Sequence, residues 1–277
     1  MIKRVLVPLD GSEESEKSLG IAERIATAQG STLALLRVVA PFTWAETEAG
    51  PATDMYPSLL DQAMKDAETN LAERAGDLRS RAIATEQFVV LGQPAAAIID
   101  YETDHHPDLV VMATHGRSGI ARFTMGSVTD RVVREGGAPV LVIRRSSSAT
   151  ADLKHALVML DGSGVAEQVL GLVETLAGKP LERVTLFRVV ANPEDRGPAS
   201  TYLEGVAPRL AKAGLETRIV VDTGEPAHVV DRAAHDTDFV VLCTHGRGGI
   251  DRLRHGSVAE HVVRAVDKPV LLVRARS

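Results

Sequence analysis

Two fifteen-residue stretches, THGRSGIARFTMGSV (114–128) and THGRGGIDRLRHGSV (244–258), agree at ten positions although they lie 130 residues apart. Each carries a glycine (Gly116, Gly246), nine further residues, then Gly-Ser (Gly126-Ser127, Gly256-Ser257). Glycine lets a backbone approach a ligand closely, and the free N–H groups of a helix N-terminus attract anions. A loop with glycine at both ends, closing on a helix start with a hydroxyl, is chemically a phosphate cradle. A turn at Gly116 and a helix cap at Ser127 account for the same residues without a ligand. Two better-known phosphate loops are missing: no G-x-x-x-x-G-K-[ST] occurs, and PLDGSEES stands where a dinucleotide-binding G-x-G-x-x-G would follow the first strand.

Other reactive side chains read as surface or packing. His105-His106 precede Pro107 on a loop with no partner spacing for a metal, so the sequence offers no metal site. His115 and His245 divide evenly between turn packing and ligand contact. Arg117 and Arg247 sit in the cradle as phosphate partners or as solvated loop arginines. Cys243 adjoins the second cradle, and a small buried residue at a strand end is the reading its position favours.

The elements that must hold these loops come from a duplication. KRVLVPLDGS (3–12) returns as KHALVMLDGS (154–163), and LALLRVVAP (33–41) as VTLFRVVAN (184–192), both at an offset of 151. LGQPAAAIID (91–100) is echoed by TGEPAHVVD (223–231), and APVLVIRR (138–145) by KPVLLVRAR (268–276). The reading is therefore copy one over 1–145, a polar linker over 146–152 and copy two over 153–277. About twenty extra residues of copy one fall within 42–81, where FTWAETEAGPATDMYP predicts a loop leading into a charged helix. Within copy one, strands are expected at Val5–Leu9, Leu33–Val39, Ala84–Val90, Leu109–Ala113 and Val140–Ile143. Helices are expected from Ser12 to about Gln29, over about Leu59–Arg81, from Pro94, and near Val128–Arg134. Alternating β and α units imply an α/β fold with parallel strands and right-handed crossovers, five strands to a copy in a small doubly wound sheet. Ligands of such sheets bind at the carboxyl ends of the strands, where LVVMATHG places the first cradle.

Composition sets the limits. The chain has 277 residues, 44% hydrophobic and 3% aromatic, so its core must be aliphatic, which suits helices on a parallel sheet. A net charge of −6 with no dense Lys/Arg block argues against a nucleic-acid surface. One cysteine excludes an intrachain disulfide framework and suits a reducing compartment. No apolar run approaches the roughly eighteen residues of a membrane span, and the five-residue apolar run before Asp10 is too short for a signal peptide. A cytoplasmic location is expected.

Taken together, VLVPLDGS, LLRVV, THGRSGIARFTMGSV and the closing PVLVIRR resemble the universal stress protein family. The resemblance covers essentially all of both copies, so the chain looks like a tandem two-domain member. It implies a Rossmann-like, adenine nucleotide alpha hydrolase-like fold. It also implies ATP, with Mg²⁺, as the ligand of a G-x2-G-x9-G-[ST] loop. The second glycine of that pattern matches Gly116 and Gly246, with Arg117 and Arg247 next to it. The closing pair, with the valine that follows it, matches Gly126, Ser127 and Val128, and Gly256, Ser257 and Val258. Ala113 and Cys243 stand where the first glycine is expected. The family pattern also places Asp10 and Asp161 against adenosine, with a simple cap of the first helix by Asp10 and Ser12 as the lesser alternative. Val38 and Val189 are implied to meet the adenine edge through their main chain. Pro8 matches the pattern, whereas Met159 departs from it, so copy two departs at two positions against one.

The expected function is that of an ATP-binding, stress-responsive regulator or sensor with slow or no hydrolysis. A slow ATPase or nucleotidyl transferase on the same fold is the alternative of another class, and a nucleotide-free scaffold is the third. Asp130 and Asp251 lie near the cradles, but nothing in the sequence orients them towards a γ-phosphate. The downstream regulatory partner is not identified by any sequence feature. The closing strands are aliphatic edges that invite pairing. Family members bury that edge about a two-fold axis, so the copies are expected to form an intrachain pseudo-dimer with the cradle loops facing the region between them. A homodimer of whole chains stays open.

Overall fold

A computed structural model describes residues 1–41, 56–114, 125–144, 147, 152–244 and 257–275. Copy one runs β1 (Arg4–Leu9), α1 (Glu13–Gln29), β2 (Thr32–Val39), α2 (Tyr56–Ser80), β3 (Thr85–Leu91), α3 (Pro94–His105), β4 (Leu109–Ala113), α4 (Ser127–Glu135) and β5 (Val140–Ile143). Copy two runs β6 (His155–Met159), a 3₁₀ turn (Ala166–Val169), α5 (Leu170–Leu176), β7 (Arg183–Val190), α6 (Arg196–Lys212), β8 (Glu216–Thr223), α7 (Pro226–Ala234), β9 (Phe239–Thr244), α8 (Ser257–Ala265) and β10 (Val270–Arg274). The loop expected after Phe42 lies outside the described residues up to position 55. The expected linker is described only at Ser147 and Asp152, of which Ser147 is buried.

The strand order β3-β2-β1-β4-β5-β10-β9-β6-β7-β8 makes one ten-stranded sheet from two five-stranded parallel halves. They join at their closing strands, which pair antiparallel with Val142 opposite Val270, Leu141 opposite Leu271 and Val140 opposite Leu272. All six side chains are at most 2% exposed. The intrachain pseudo-dimer expected from the aliphatic edges and the family resemblance is therefore the architecture. One aliphatic core lies on each face of the joined sheet, and both cores draw residues from the two copies.

Beyond the strand pairing, reciprocal arginines brace the seam. Arg144, just past β5, donates from Nη1 to the carbonyls of Arg264 (2.9 Å) and Val266 (2.5 Å) at the end of α8. Arg274, its counterpart 130 residues on, donates to the carbonyl of Gly136 (3.0 Å) at the end of α4. The last carbonyls of a helix lack intrahelical donors and carry partial negative charge, so a guanidinium there satisfies both needs. Gln29, at the end of α1, donates to the carbonyls of Thr175 (3.1 Å) and Lys179 across the same seam.

Local sequence explains why the two first helices differ. In α1, Ser12 caps the start by accepting from the Ser15 N–H, three glutamates occupy the first turn, and Gly30 at φ 72° closes the end. The matching start in copy two reads Ser163-Gly164-Val165, without an acidic residue and with two weak helix formers. It opens as a 3₁₀ turn before α5 begins at Leu170.

A buried carboxyl sits beside the seam. Glu102, 5% exposed, accepts the Gly137 and Ala138 N–H groups at Oε2 (2.7 and 2.9 Å), while its Oε1 has no hydrogen-bond partner among the described residues. Burial raises its pKa against the lowering effect of those two N–H groups and of Arg274. A raised folded-state value means that this group's stabilising contribution is complete below the ordinary glutamate value of about 4.5 and is lost as pH rises through the folded value. Melting temperature should thus fall between pH 4.5 and 8 in the parent by more than in Glu102→Gln. Equal pH slopes for the two proteins would contradict this. No helix among the described residues is long and apolar enough to cross a membrane.

Candidate functional site

At the carboxyl edge of the copy-one strands lies a cleft of about 970 Å³, at the upper end of the roughly 300–1,000 Å³ usual for small-molecule sites. Pro8 and Asp10 reach it from the end of β1, Val38 from β2, Ala113 from the end of β4, and Gly126, Ser127 and Val128 from the start of α4. Seven copy-one positions singled out by sequence thus share one wall. The two remaining, Gly116 and Arg117, lie outside the described residues, as do Gly246, Arg247 and Gly256 of copy two. The orientation of the cradle loops towards the region between the copies falls there as well.

The floor is made of local hydrogen bonds. Asp10 Oδ1 accepts from the Ser12 N–H (3.0 Å) and hydroxyl (2.6 Å), and Ser12 Oγ accepts from the Ser15 N–H (3.2 Å). Asp10 therefore shapes the turn that starts α1 while it also lines the cleft. Arg37, next to Val38, donates to the Leu9 carbonyl at 3.2 Å and holds the ends of β1 and β2 together.

The start of α4 differs from the simple cap that the sequence allowed. Gly126 is the cap residue, at φ −56° and ψ 150°, and offers no side chain to accept from the first turn; Ser127 is already helical. The Gly126 N–H donates to the Thr114 carbonyl at 2.8 Å, tying the helix start to the end of β4. A second tie escaped the sequence reading: the Thr129 hydroxyl, 1% exposed, donates to the Ala113 carbonyl at 2.8 Å. The matching position in copy two is Ala259, and that difference between the copies was the available signal.

Helix α2 supplies a wall that was also missed. Ala63, Ala67, Asn70 and Arg74 line the cleft, with Asp66 and Leu71 between them. The spacing of three and four residues was legible as one helical face. Arg74 Nε pairs with Glu16 Oε1 of α1 at 3.0 Å. The cleft is thus apolar at Leu36, Val38, Ile98 and Met112, and polar at Asp10, Glu16, Asp66 and Arg74. Apolar walls with a few convergent polar groups and a helix start at a glycine would accept an aromatic ring at one end and an anion at the other.

Copy two repeats the floor: Asp161 Oδ1 accepts from the Ser163 N–H (2.8 Å) and hydroxyl (2.6 Å). Val189 is half-buried near the end of β7, and Cys243 is half-buried near the end of β9. Ser257 begins α8, and Val258 beside it is exposed. Burial, with the Asp161 charge adding to it, raises the Cys243 thiol to about 11. At pH 8 it is overwhelmingly the unreactive neutral thiol. Iodoacetamide should therefore label the folded protein tens of fold more slowly than the urea-unfolded chain. Equal labelling rates would show that Cys243 is a reactive thiolate.

The comparisons with known proteins agree with this geometry. A sequence model described as the Universal stress protein family matches residues 1–144 and 153–274, once for each copy. Universal stress protein Rv2005c of Mycobacterium tuberculosis is 28% identical over 295 residues, an alignment that covers 98% of this chain and 96% of the relative. Universal stress protein MJ0577 of Methanocaldococcus jannaschii is 24% identical over 159 residues, spanning 53% of this chain and 98% of its own. The crystal structure of a universal stress protein from Archaeoglobus fulgidus superimposes with a TM-score of 0.76 at 20% identity, covering 98% of both chains, and supports the fold. With the family matched twice, a relative of the same tandem length and two halves joined at their closing strands, this chain belongs to the universal stress protein family as a tandem two-domain member.

Proposed function

We propose that copy one binds ATP at the carboxyl edge of its sheet, and that nucleotide occupancy sets the state in which the protein acts as a stress-response regulator. The observation that carries this reading is the convergence of Pro8, Asp10, Val38, Ala113, Gly126, Ser127 and Val128 on one large cleft. Val38 would meet the adenine edge through its main chain, and Asp10 would face the adenosine. The start of α4 would hold phosphate oxygens, with Gly116 and Arg117 completing the cradle. Mg²⁺ would arrive with the phosphates, because among the described residues no group of three or more His, Cys, Asp or Glu is arranged to hold a metal.

Regulation is favoured over turnover by the state of one carboxylate. Asp130, four residues past the cap glycine, pairs with Arg134 along α4 at 2.5 Å and is not among the described residues that line the cleft. Hydrolysis with Mg²⁺ is expected well below the roughly 1–100 per second of dedicated phosphoryl-transfer enzymes. A rate in that range that disappears with Gly126→Val would replace the sensor reading with an enzyme.

Mass spectrometry of small molecules released from the purified protein tests the ligand. ATP is the expected species. A protein that carries no nucleotide and takes up none at millimolar ATP would overturn the reading in favour of a scaffold.

A further inference from the structure

The first turn of α4 is fastened to the end of β4 at two points. β1 stays paired with β2 as far as Leu9 and Arg37, and β4 with β5 as far as Ala113 and Ile143. Between themselves β1 and β4 pair near their beginnings, Val5 with Leu109 and Leu6 with Val110. The two strands therefore part towards their carboxyl ends, and Pro8 and Ala113 line the cleft on either side of the gap. In a sheet of this order, that gap is the switch point at which ligands bind.

Within α4, Asp130 is the first residue to donate along the helix, to the Gly126 carbonyl at 2.9 Å. The N–H groups of Ser127, Val128 and Thr129 therefore have no intrahelical acceptor, and their direction depends on what fixes the turn. At its start the Gly126 N–H donates to the Thr114 carbonyl, and three residues on the Thr129 hydroxyl donates to the Ala113 carbonyl, both at 2.8 Å. One bond alone would let the turn pivot. Two bonds to successive strand carbonyls fix its rotation. The hydroxyl is not needed to form the helix: copy two carries Ala259 there, and α8 (Ser257–Ala265) spans the same nine positions as α4 at an offset of 130. Nor does it meet solvent, since Thr129 is 1% exposed. What it adds is the tie to β4.

We infer that Thr129 is a positioning residue for the phosphate end of the copy-one site: its hydroxyl, through the Ala113 carbonyl, holds the first turn of α4 so that the N–H groups of Ser127, Val128 and Thr129 point at the phosphate oxygens. This rests on the nucleotide reading of copy one. The hydroxyl proton is committed to Ala113, so the side chain acts through the backbone it holds.

Titration of the full chain with ATP, followed by hydrogen exchange in the peptides that carry Asp10 and Val38, reads copy one alone and tests the role. Thr129→Val keeps the shape and loses the hydroxyl; it should weaken ATP binding about tenfold, the worth of one well-made hydrogen bond. Thr129→Ser keeps the hydroxyl and should bind like the parent. Val133→Ala opens a cavity under the same helix and leaves the tie in place, so it should also bind like the parent. Melting curves confirm that each variant is folded, and Thr129→Ala, with the side chain copy two carries, replaces a valine variant that does not fold. Parental affinity in Thr129→Val, an equal loss in Thr129→Val and Val133→Ala, or a loss that Thr129→Ser does not restore would overturn the positioning role and leave nucleotide binding intact. A parent that takes up no ATP at millimolar concentration would overturn the nucleotide reading and this inference together.

Discussion

Val142→Asp should break the seam between the two copies. Val142 is fully buried in β5, opposite Val270 of β10 and with Arg144 already committed to the end of α8. A carboxylate placed there has no partner, and burying an unpaired charge costs several kcal/mol, on the order of 3–5 kcal/mol in comparable cases. Because the strand pairing and both arginine braces meet at this line, the loss should be cooperative. The melting temperature should drop by on the order of 10 °C or more, and small-angle scattering should report an elongated particle. Val142→Ala, which removes methyl groups without adding charge, should cost about 2 kcal/mol and keep the shape. An unchanged shape and melting curve for Val142→Asp would mean that β5 and β10 do not form the contact.

Gly126→Val should remove nucleotide binding without unfolding the chain. The backbone at Gly126, φ −56° and ψ 150°, is one that any residue adopts, so the substitution adds no conformational strain. The Gly126 N–H donates to Thr114, a bond that valine also makes. What changes is the cleft wall: a branched side chain would stand where phosphates approach the start of α4. Affinity for ATP should fall at least a hundredfold, equivalent to about 2.7 kcal/mol, with the melting curve nearly unchanged. Gly126→Ala should lose less. Calorimetry that shows Gly126→Val binding like the parent would contradict the cradle assignment.

Much of the fold was legible because the sequence states it twice. Aliphatic runs such as LVVMA and VLVI alternate with capped or proline-started helices, which leaves few arrangements besides a doubly wound sheet. The closing strands could be paired in advance because exposed aliphatic edges invite cover and the family resemblance implies that these edges cover each other. Gly126 was legible as a helix start at the carboxyl edge of the sheet, whereas Asp10 and Val38 were singled out by the family resemblance; all three line one cleft. The braces at Arg144 and Arg274 were not, since an arginine after a strand says nothing about which carbonyl it reaches. Nor was the α2 wall, because Asn70 and Arg74 look like the solvated face of a charged helix until the sheet is set beneath them.

Hydrogen exchange of the full chain, with and without saturating ATP and read peptide by peptide, tests the central claim that nucleotide occupies the copy-one cleft. Added protection is predicted at the ends of β1 and β2, at the end of β4 and over the first turn of α4, in peptides carrying Asp10, Val38, Ala113 and Gly126–Thr129. ATP binding with no added protection in those peptides, or with protection confined to copy two, would contradict the account.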